Sequence, residues 1–517
     1  LKQADTKTHS PSFSPLSRRR LLAVGGVAAL LGRTARAQSR DTLRFGLSTY
    51  PPSLSMWQNG GASAGTVKMQ ITRGLVSYDH QGNLRGELAE SWSQPDPVTI
   101  VFKLREGATF HDGSTVDAEA VRSYFETIAA PSSTAYLRGV FQQVARIETP
   151  DAGTVKLTLK DPSASFLYQL ATYHAGMLSP RSTEQNQIGA GPYRITDIER
   201  GSHIELAAYD AYYRPGRPIT KTLRFQVYAD ENLRVAALET GDVDIIEYVP
   251  WASMAAIEAN PKLSLLTADA AYMCLQFNLT QGPFRDRKLR QAVAYAVRRQ
   301  DIVQAAFFGR GSVLGGLPIP TDSPYYNAAL ANAWSLDLDR SRQLLKEAGH
   351  PDGFACKLLS TSTYAMHAQT AEVVQQSLAA VGIQVELVMP DWASRVTLGG
   401  RGQYEFAVGG YGADVNDPDA LTASVGGGQP NSYARDFGYS NPEVNALLDA
   451  GRRELDPAKR KPIYDRLQAV LLDDAAWVGL AWRSQGFALQ KLLTGFANLP
   501  GFLTFLSGFT LEDVAIT

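Results

Sequence analysis

Residues 354–387 hold the pattern that most narrows the fold of this chain. Phe354 to Leu359 is a short apolar run suited to a strand. Gln369 to Val381 predicts a helix, with Val374, Leu378 and Val381 at i, i+4 and i+7 and Gly382 closing it. Ile383, Val385 and Leu387 then alternate as a second strand. A strand–helix–strand unit is the building block of α/β domains. Other segments agree. Thr42 to Leu47 reads as a strand, and Val98, Ile100, Phe102 and Leu104 alternate as a half-buried one. Asp117 opens a helix carrying Val121, Tyr124, Phe125 and Ile128 on one face, and Leu289, Val293 and Ala296 mark another. Asp337 or Asp339 caps a helix with Leu344 and Leu345 that stops at Gly349. Asn441-Pro442 and Asp456-Pro457 each place a cap before a proline at the first helical position. Pro462 predicts that the second of these helices starts later or kinks. At 517 residues the chain is too long for one ordinary domain, and two or three are expected.

Tyr404 to Asp419 is the stretch with the richest chemistry. Phe406, Ala407 and Val408 form a compact apolar strand; Gly409, Gly410, Tyr411, Gly412, Asp414, Asn416, Asp417 and Asp419 follow. A buried strand running into a glycine-rich loop with an aromatic and three carboxylates suits a ligand site on a rigid scaffold. The same residues also suit a surface turn. Asp417 and Asp419 read as turn or cap residues.

The first 37 residues read as an export signal. Ser17-Arg18-Arg19-Arg20-Leu21-Leu22 is a twin-arginine pattern, Leu21 to Leu31 is a short apolar run, and Ala35-Arg36-Ala37 is a cleavage site, so the mature chain is expected to start at Gln38. Eleven residues rise only about 16 Å as a helix, against roughly 30 Å of hydrocarbon. The chain holds 50 basic and 51 acidic residues; seven and one of these lie in residues 1–37, leaving 43 against 50, a net charge of −7. An acidic body argues against nucleic acid as a partner. Cys274 and Cys356 both sit in strand-like runs. They pair if those strands are neighbours and are otherwise two buried thiols. Two cysteines cannot form a zinc ribbon, and the seven histidines show no metal-ligand spacing, so neither metal nor cofactor is expected.

Catalytic motifs are sparse. Gly61-Ala62-Ser63-Ala64-Gly65 matches the nucleophile-elbow pattern, but it lies in the Pro/Ser/Gly-rich loop Thr49 to Gly65 without the preceding apolar strand an elbow needs. A ligand-lining loop containing Trp57 is the better use of it. His111-Asp112-Gly113 reads as a turn with a local hydrogen-bond partner. No Walker A motif is present.

Taken in order, several segments resemble one family. They are Gly74-Leu75 with Tyr78; Leu88-Ala89-Glu90-Ser91-Trp92; Phe102 to Gly107 with Phe110 to Gly113; Gly189-Ala190-Gly191-Pro192-Tyr193; Tyr209 to Pro215; Leu238 to Asp244; and Phe277-Asn278 with Pro283 to Asp286 and Leu289 to Ala292. Together they are similar to the large extracytoplasmic solute-binding proteins of the peptide, nickel and opine ABC importers. The resemblance implies a two-lobe α/β periplasmic-binding fold of class II type with an extra sub-domain and the ligand in the inter-lobe cleft. It implies one lobe from residues 38–75, 186–270 and 488–517, the extra sub-domain at 76–185, and the other lobe at 271–487. It further implies a monomeric, non-enzymatic binding protein of the periplasm that delivers a peptide or related amine-bearing solute to an inner-membrane permease with its ATPase. The alternatives are an exported hydrolase acting through Ser63, and a sensory or chaperone-like binder on the same fold. By the same resemblance Asp414 meets the ligand's ammonium, Tyr411 lies beside it, and Trp392 and Asn416 join the site. Trp57 and the Asn59 to Gly65 segment, including Gly61, Ala62 and Ser63, would offer strand-like backbone to an extended ligand. Leu398 stands where dipeptide binders place an arginine for the ligand's carboxylate. That implies a longer peptide, or an amine-bearing compound without a fixed terminal carboxylate. Arg395 shares a helix face with Leu398.

Overall fold

The computed structural model describes residues 41–183, 186–413, 415–428 and 431–517. The export signal and Asp414 therefore lie outside the described residues. Its centre is an antiparallel ribbon of two long strands, Leu263–Phe277 and Trp477–Gln490. In spatial order the main sheet runs Gln384–Val388, Ala355–Leu359, Phe406–Tyr411, Leu263–Phe277, Trp477–Gln490, Ile245–Ile246, Thr42–Leu47, Thr222–Val227, His203–Ala208 and Tyr193–Glu199. Gly311–Val313 pairs with Trp477–Gln490 off this path. The ribbon joins two half-sheets by its opposite ends. Tyr272 to Phe277 pair with Phe406–Tyr411, whereas Ala488 and Leu489 pair with Ile245–Ile246. One register shift, at Asp269/Ala271, interrupts the ladder between those ends, and a second, at Met273/Cys274, falls within the end that pairs with Phe406–Tyr411. This is a two-lobe α/β fold.

The strand–helix–strand unit forms as read. Ala355–Leu359 and Gln384–Val388 are parallel neighbours, and the helix between them is Ala365–Ala379, starting one turn earlier than its apolar spacing marks. Asp117, Asp337, Asn441 and Asp456 each cap a helix by accepting a first-turn backbone N–H. The helix Pro457–Asp474 departs from expectation: it runs through Pro462 without interruption. The lost bond is that to the Ala458 carbonyl, and Ala458 is exposed, so water can serve that oxygen. Tyr464, Leu467 and Leu471, all buried, hold the helix in place. The cysteines are two separate buried thiols: Cys274 and Cys356 lie on strands separated by Phe406–Tyr411.

Residues 89–159 supply a separate antiparallel sheet, Ala89–Asp96, Thr99–Leu104, Thr154–Leu159 and Val144–Asp151 in spatial order, covered by helix Ala118–Ala129. Its core is shared with Leu499, Leu503, Leu506 and Phe509 from the end of the chain. Gly189 and Gly191 show why that glycine motif is needed. A Cβ at either position would fall 2.0 Å from the Ile71 carbonyl or 2.3 Å from that of Gln70. The segment therefore packs against the end of helix Ala62–Ile71 at a distance only glycine allows.

A buried ionic cluster fastens the chain's end to its beginning. Arg73 Nη2 lies 3.0 Å from Glu512, Arg214 Nη2 lies 3.0 Å from Glu87, and Arg85 bridges both acids at 3.0 and 3.3 Å. Tyr212 donates to Glu512 and Tyr213 to Glu87. Burial alone would raise the Glu87 carboxyl, but the Arg214, Arg73 and Arg85 guanidiniums overrule it and hold it at about 2, down from 4.5. Such a depressed carboxyl contributes stability in full above its unfolded value, and that contribution is lost as pH falls from about 4.5 toward 2. The expected size is about 3 kcal/mol. Glu87→Gln should lower Tm at pH 7 and flatten the acid limb of a Tm-against-pH curve; a parallel acid limb in the variant would show that Glu87 is not the titrating group.

Candidate functional site

A cavity of about 820 Å³ lies between the two half-sheets. One wall comes from the first half of the chain: the loop Trp57–Gly61, the first turn of helix Ala62–Ile71, Tyr136, Tyr173 and Tyr248, with Phe502 and Phe505 from the C-terminal segment. The facing wall is Tyr364, His367, Trp392, Gly410 to Gly412, Asn416 and Tyr433. Trp57, Gly61, Ala62, Ser63, Trp392, Tyr411 and Asn416 all line this space, brought together from segments more than 300 residues apart. The facing aromatics are ordered edge to face. Trp392 meets Tyr364 at 5.3 Å and Tyr433 at 5.5 Å between centroids, with interplanar angles of 79° and 82°.

Gly61 faces the opposite wall across a short gap. A methyl group there would stand 3.9 Å from Trp392 Nε1 and from the Tyr433 hydroxyl. Its φ of 84° and ψ of −176° belong to a region open only to glycine. The segment that follows differs from expectation. Residues 62–65 are helical, with Gly65 N–H bonded to the Gly61 carbonyl, so they cannot pair as a strand with an extended ligand. No side chain caps this helix, and its N-terminal end faces the cavity.

Ser63 Oγ donates to buried Glu247, which also accepts from Ser48 Oγ at 2.8 Å and Ser48 N–H at 3.0 Å. Burial raises the Glu247 carboxyl. The hydroxyl thus serves a buried carboxyl, and helix Ala62–Ile71 follows a loop, not the strand of an elbow. His111 is likewise local: its Nε2 meets the Gly191 carbonyl at 3.0 Å. Tyr248 holds a left-handed φ of 47°, uncommon for a bulky residue. Arg234 pins it, donating to the carbonyls of Tyr228, Glu247 and Tyr248 at 2.7, 3.2 and 2.9 Å.

On the facing side the Tyr411 hydroxyl lies 2.7 Å from Gln276 Oε1 and donates toward the Tyr433 carbonyl at 2.9 Å, leaving its ring to the cavity. Asn416 Oδ1 accepts from Phe502 N–H at 3.0 Å, linking the loop to the C-terminal segment. Asp417 caps the short turn Pro418–Ala420 and pairs with Arg460 at 2.9 Å. Asp419 pairs with Arg452 at 3.1 Å and accepts from Ser165 at 2.5 Å. Both act structurally, as their turn chemistry suggests.

Leu398 lies apart from the cavity. It packs with Leu359, Tyr404 and Ala407 in a small core and is not among the residues that line the cavity. Arg395, three residues before it, turns inward instead and donates to the Val408 carbonyl at 3.0 Å. Arg395 and Arg483 are both fully buried, each has two nitrogens without a partner, and no described carboxylate pairs with either. His367, on the cavity wall near both, is held neutral by burial first and by these two charges second. Among the described residues no group of three His, Cys, Asp or Glu side chains converges on a metal-sized site.

The family profile of bacterial extracellular solute-binding proteins, family 5, matches residues 83–433. The chain belongs to this family. A glutathione-binding protein, GsiB, of Pectobacterium atrosepticum is 30% identical over 523 residues, spanning 98% of this chain and all of the relative. The periplasmic binding protein AgaA of A. tumefaciens R10, solved with agropinic acid, superposes with a TM-score of 0.88 at 39% identity over 92% of this chain and 99% of its own. DppA of Helicobacter pylori, solved with the peptide STSA, shares the fold with a TM-score of 0.83 at 22% identity over 92% of this chain and 98% of its own.

Sequence reading missed Glu247, Tyr248, Tyr364, His367 and Tyr433. One signal was available: Glu247-Tyr248 directly follows the apolar pair Ile245-Ile246, and an acid with an aromatic at the end of a buried strand marks a site edge. Tyr364, His367 and Tyr433 carry no such local mark. The strain at Gly61 is open to test. Gly61→Ala should destabilise the protein by about 1–3 kcal/mol, and Gly61→Leu should additionally abolish ligand binding by filling the gap to Trp392. Unchanged thermal unfolding for the alanine variant would show that the loop relaxes freely.

Proposed function

We propose that the chain is the extracytoplasmic capture component of an ABC importer for one small amino-acid-derived solute, a peptide or an opine, carrying both an ammonium and an acidic group. The observation that carries this reading is the cavity itself: both halves of the molecule wall it, and its volume of about 820 Å³ suits a single small ligand. The glutathione-binding relative and the agropinic-acid-binding structure support a small, acidic, amino-acid-derived solute. Two further features support a bipolar ligand. Among the described residues no carboxylate pairs with Arg395 or Arg483, so their positive charge behind Tyr364 and His367 favours an anionic group there. The carboxylates of Asp269 and Asp322 line the outer, exposed part of the cavity, on the side that would take a cation. Asp414, outside the described residues, is assigned to the ammonium; a buried cation needs a paired anion.

In this reading residues 1–37 direct export by the twin-arginine route and are removed near Ala37. The lobes are residues 38–75, 186–270 and 488–517, with the extra sub-domain 76–185, and residues 271–487. The mature protein works as a monomer, hands its solute to a permease with its ATPase, and performs no catalysis. Ser63, the residue a hydrolase would use, is occupied with Glu247 and Ser48.

Closure has its own fastening at the rim. Ala164 N–H donates to the Arg452 carbonyl at 2.9 Å, Ser165 donates to Asp419, and Arg453 pairs with Asp161 at 2.9 Å. The last pair is exposed and contributes little. The Asp419–Arg452 pair is the buried one.

Isothermal titration with glutathione, agropinic acid, Met-Leu and Ser-Thr-Ser-Ala should give one-to-one binding for at least one member, with a matching rise in Tm. Binding by none of them would overturn the solute class. Asp414→Asn should weaken an ammonium-bearing ligand by about 1–3 kcal/mol; unchanged affinity across the panel would move the ammonium site elsewhere. Asp419→Asn should speed ligand release about tenfold in stopped-flow tryptophan fluorescence with little change in association. An unaltered release rate would show that the rim contacts do not hold the closed form.

A further inference from the structure

Helix Ala62–Ile71 carries a lysine where an apolar residue would be expected. Lys68 has no solvent-exposed surface, and no described carboxylate pairs with it. A buried ammonium without a counter-ion is destabilising. Burial pushes its pKa down to about 7. Its Nζ donates to the Gln58 carbonyl at 2.6 Å. Gln58 belongs to the loop Trp57–Gly61, every residue of which lines the cavity. The other bonds holding this loop are few. Tyr136 N–H donates to the Trp57 carbonyl at 2.8 Å, Gln58 N–H to the Ser55 carbonyl at 3.2 Å, Gly61 N–H to the loop's own Asn59 side chain at 3.1 Å, and Gly65 N–H to the Gly61 carbonyl at 3.0 Å.

A second buried group stands beside it. His174 stacks on Tyr136 at 4.3 Å and on Tyr173 at 3.9 Å, two tyrosines of the same cavity wall, and both of its ring nitrogens lack a partner. Burial, with Lys68's charge added, keeps His174 neutral. Core packing alone favours neither residue, since a methionine at 68 would fill the same space without the desolvation penalty. What methionine would forfeit is the bond to Gln58.

We propose that Lys68 is a positioning residue for ligand capture: from beneath the wall it fixes the Gln58 carbonyl and so sets the Trp57–Gly61 loop against Trp392 and Tyr433. This rests on the reading of the cavity as the ligand site. The first test needs no ligand. In ligand-free Lys68→Met, hydrogen exchange over residues 53–65 should quicken at least tenfold while exchange in the strands of residues 89–159 is unchanged, and Tm should hold or rise. The second uses glutathione and agropinic acid, for which the variant's Kd should rise at least tenfold against whichever the parent protein binds. Unchanged exchange over 53–65 overturns the proposal, as does a fall in Tm with faster exchange everywhere, which marks a purely structural lysine. Lys68→Leu repeats the test if the methionine variant does not fold; if neither folds, Lys68 is a core requirement and the proposal fails. Should the parent protein bind neither compound nor the two peptides of the panel, the solute class fails, while the exchange measurement still decides the role of Lys68.

Discussion

The ribbon formed by Leu263–Phe277 and Trp477–Gln490 is the constraint on which the rest depends. It is the one structure that belongs to both half-sheets, and it carries Tyr272 into the cavity wall. Two register shifts interrupt its ladder, one between the ends that each half-sheet holds and one just inside the end held by Phe406–Tyr411. A bulged, twisted ladder bends more readily than a regular one, and hinge motion of two lobes about a few element positions is the general way such a fold encloses a ligand. The aromatic walls then need only meet across a short gap, and Gly61 opposite Trp392 keeps that gap narrow.

Charge is handled differently on the two sides of this cavity. Far from it, Arg73, Arg85 and Arg214 share Glu87 and Glu512, so each buried charge has a partner and the cluster fixes the C-terminal segment that supplies Phe502 and Phe505. Near it, Lys68, Arg395 and Arg483 are buried with no described acid beside them. Unpaired buried charge is tolerated where surrounding structure over-determines it, and such sites concentrate where a ligand or a loop depends on them.

Much of the fold was legible in local pattern. The helix caps at Asp117, Asn441 and Asp456 were readable because a cap is a contact between residues two or three apart. Pro462 misled because its cost depends on whether the orphaned carbonyl reaches water, and sequence does not state exposure. The disulfide question was closed by a single strand, Phe406–Tyr411, lying between the two cysteines. The placing of Leu398 was hidden for a related reason. Residues three apart on a helix share a face, yet that face spans two environments: Arg395 meets the Val408 carbonyl and Leu398 meets Tyr404.

By itself the sequence determined the α/β class, several strand and helix positions, and the family, because periodicity, caps and ordered motifs are properties of neighbouring residues. It also singled out Trp57, Gly61, Trp392 and Tyr411. Only the tertiary structure decided which residues complete the cavity with them. Glu247 beneath Ser63, His367 between two arginines, and Lys68 under Gln58 are contacts between segments joined by no local pattern. Burial gives each its character, keeping His367 neutral and pushing the Lys68 pKa down to about 7, and burial exists only once the chain has packed.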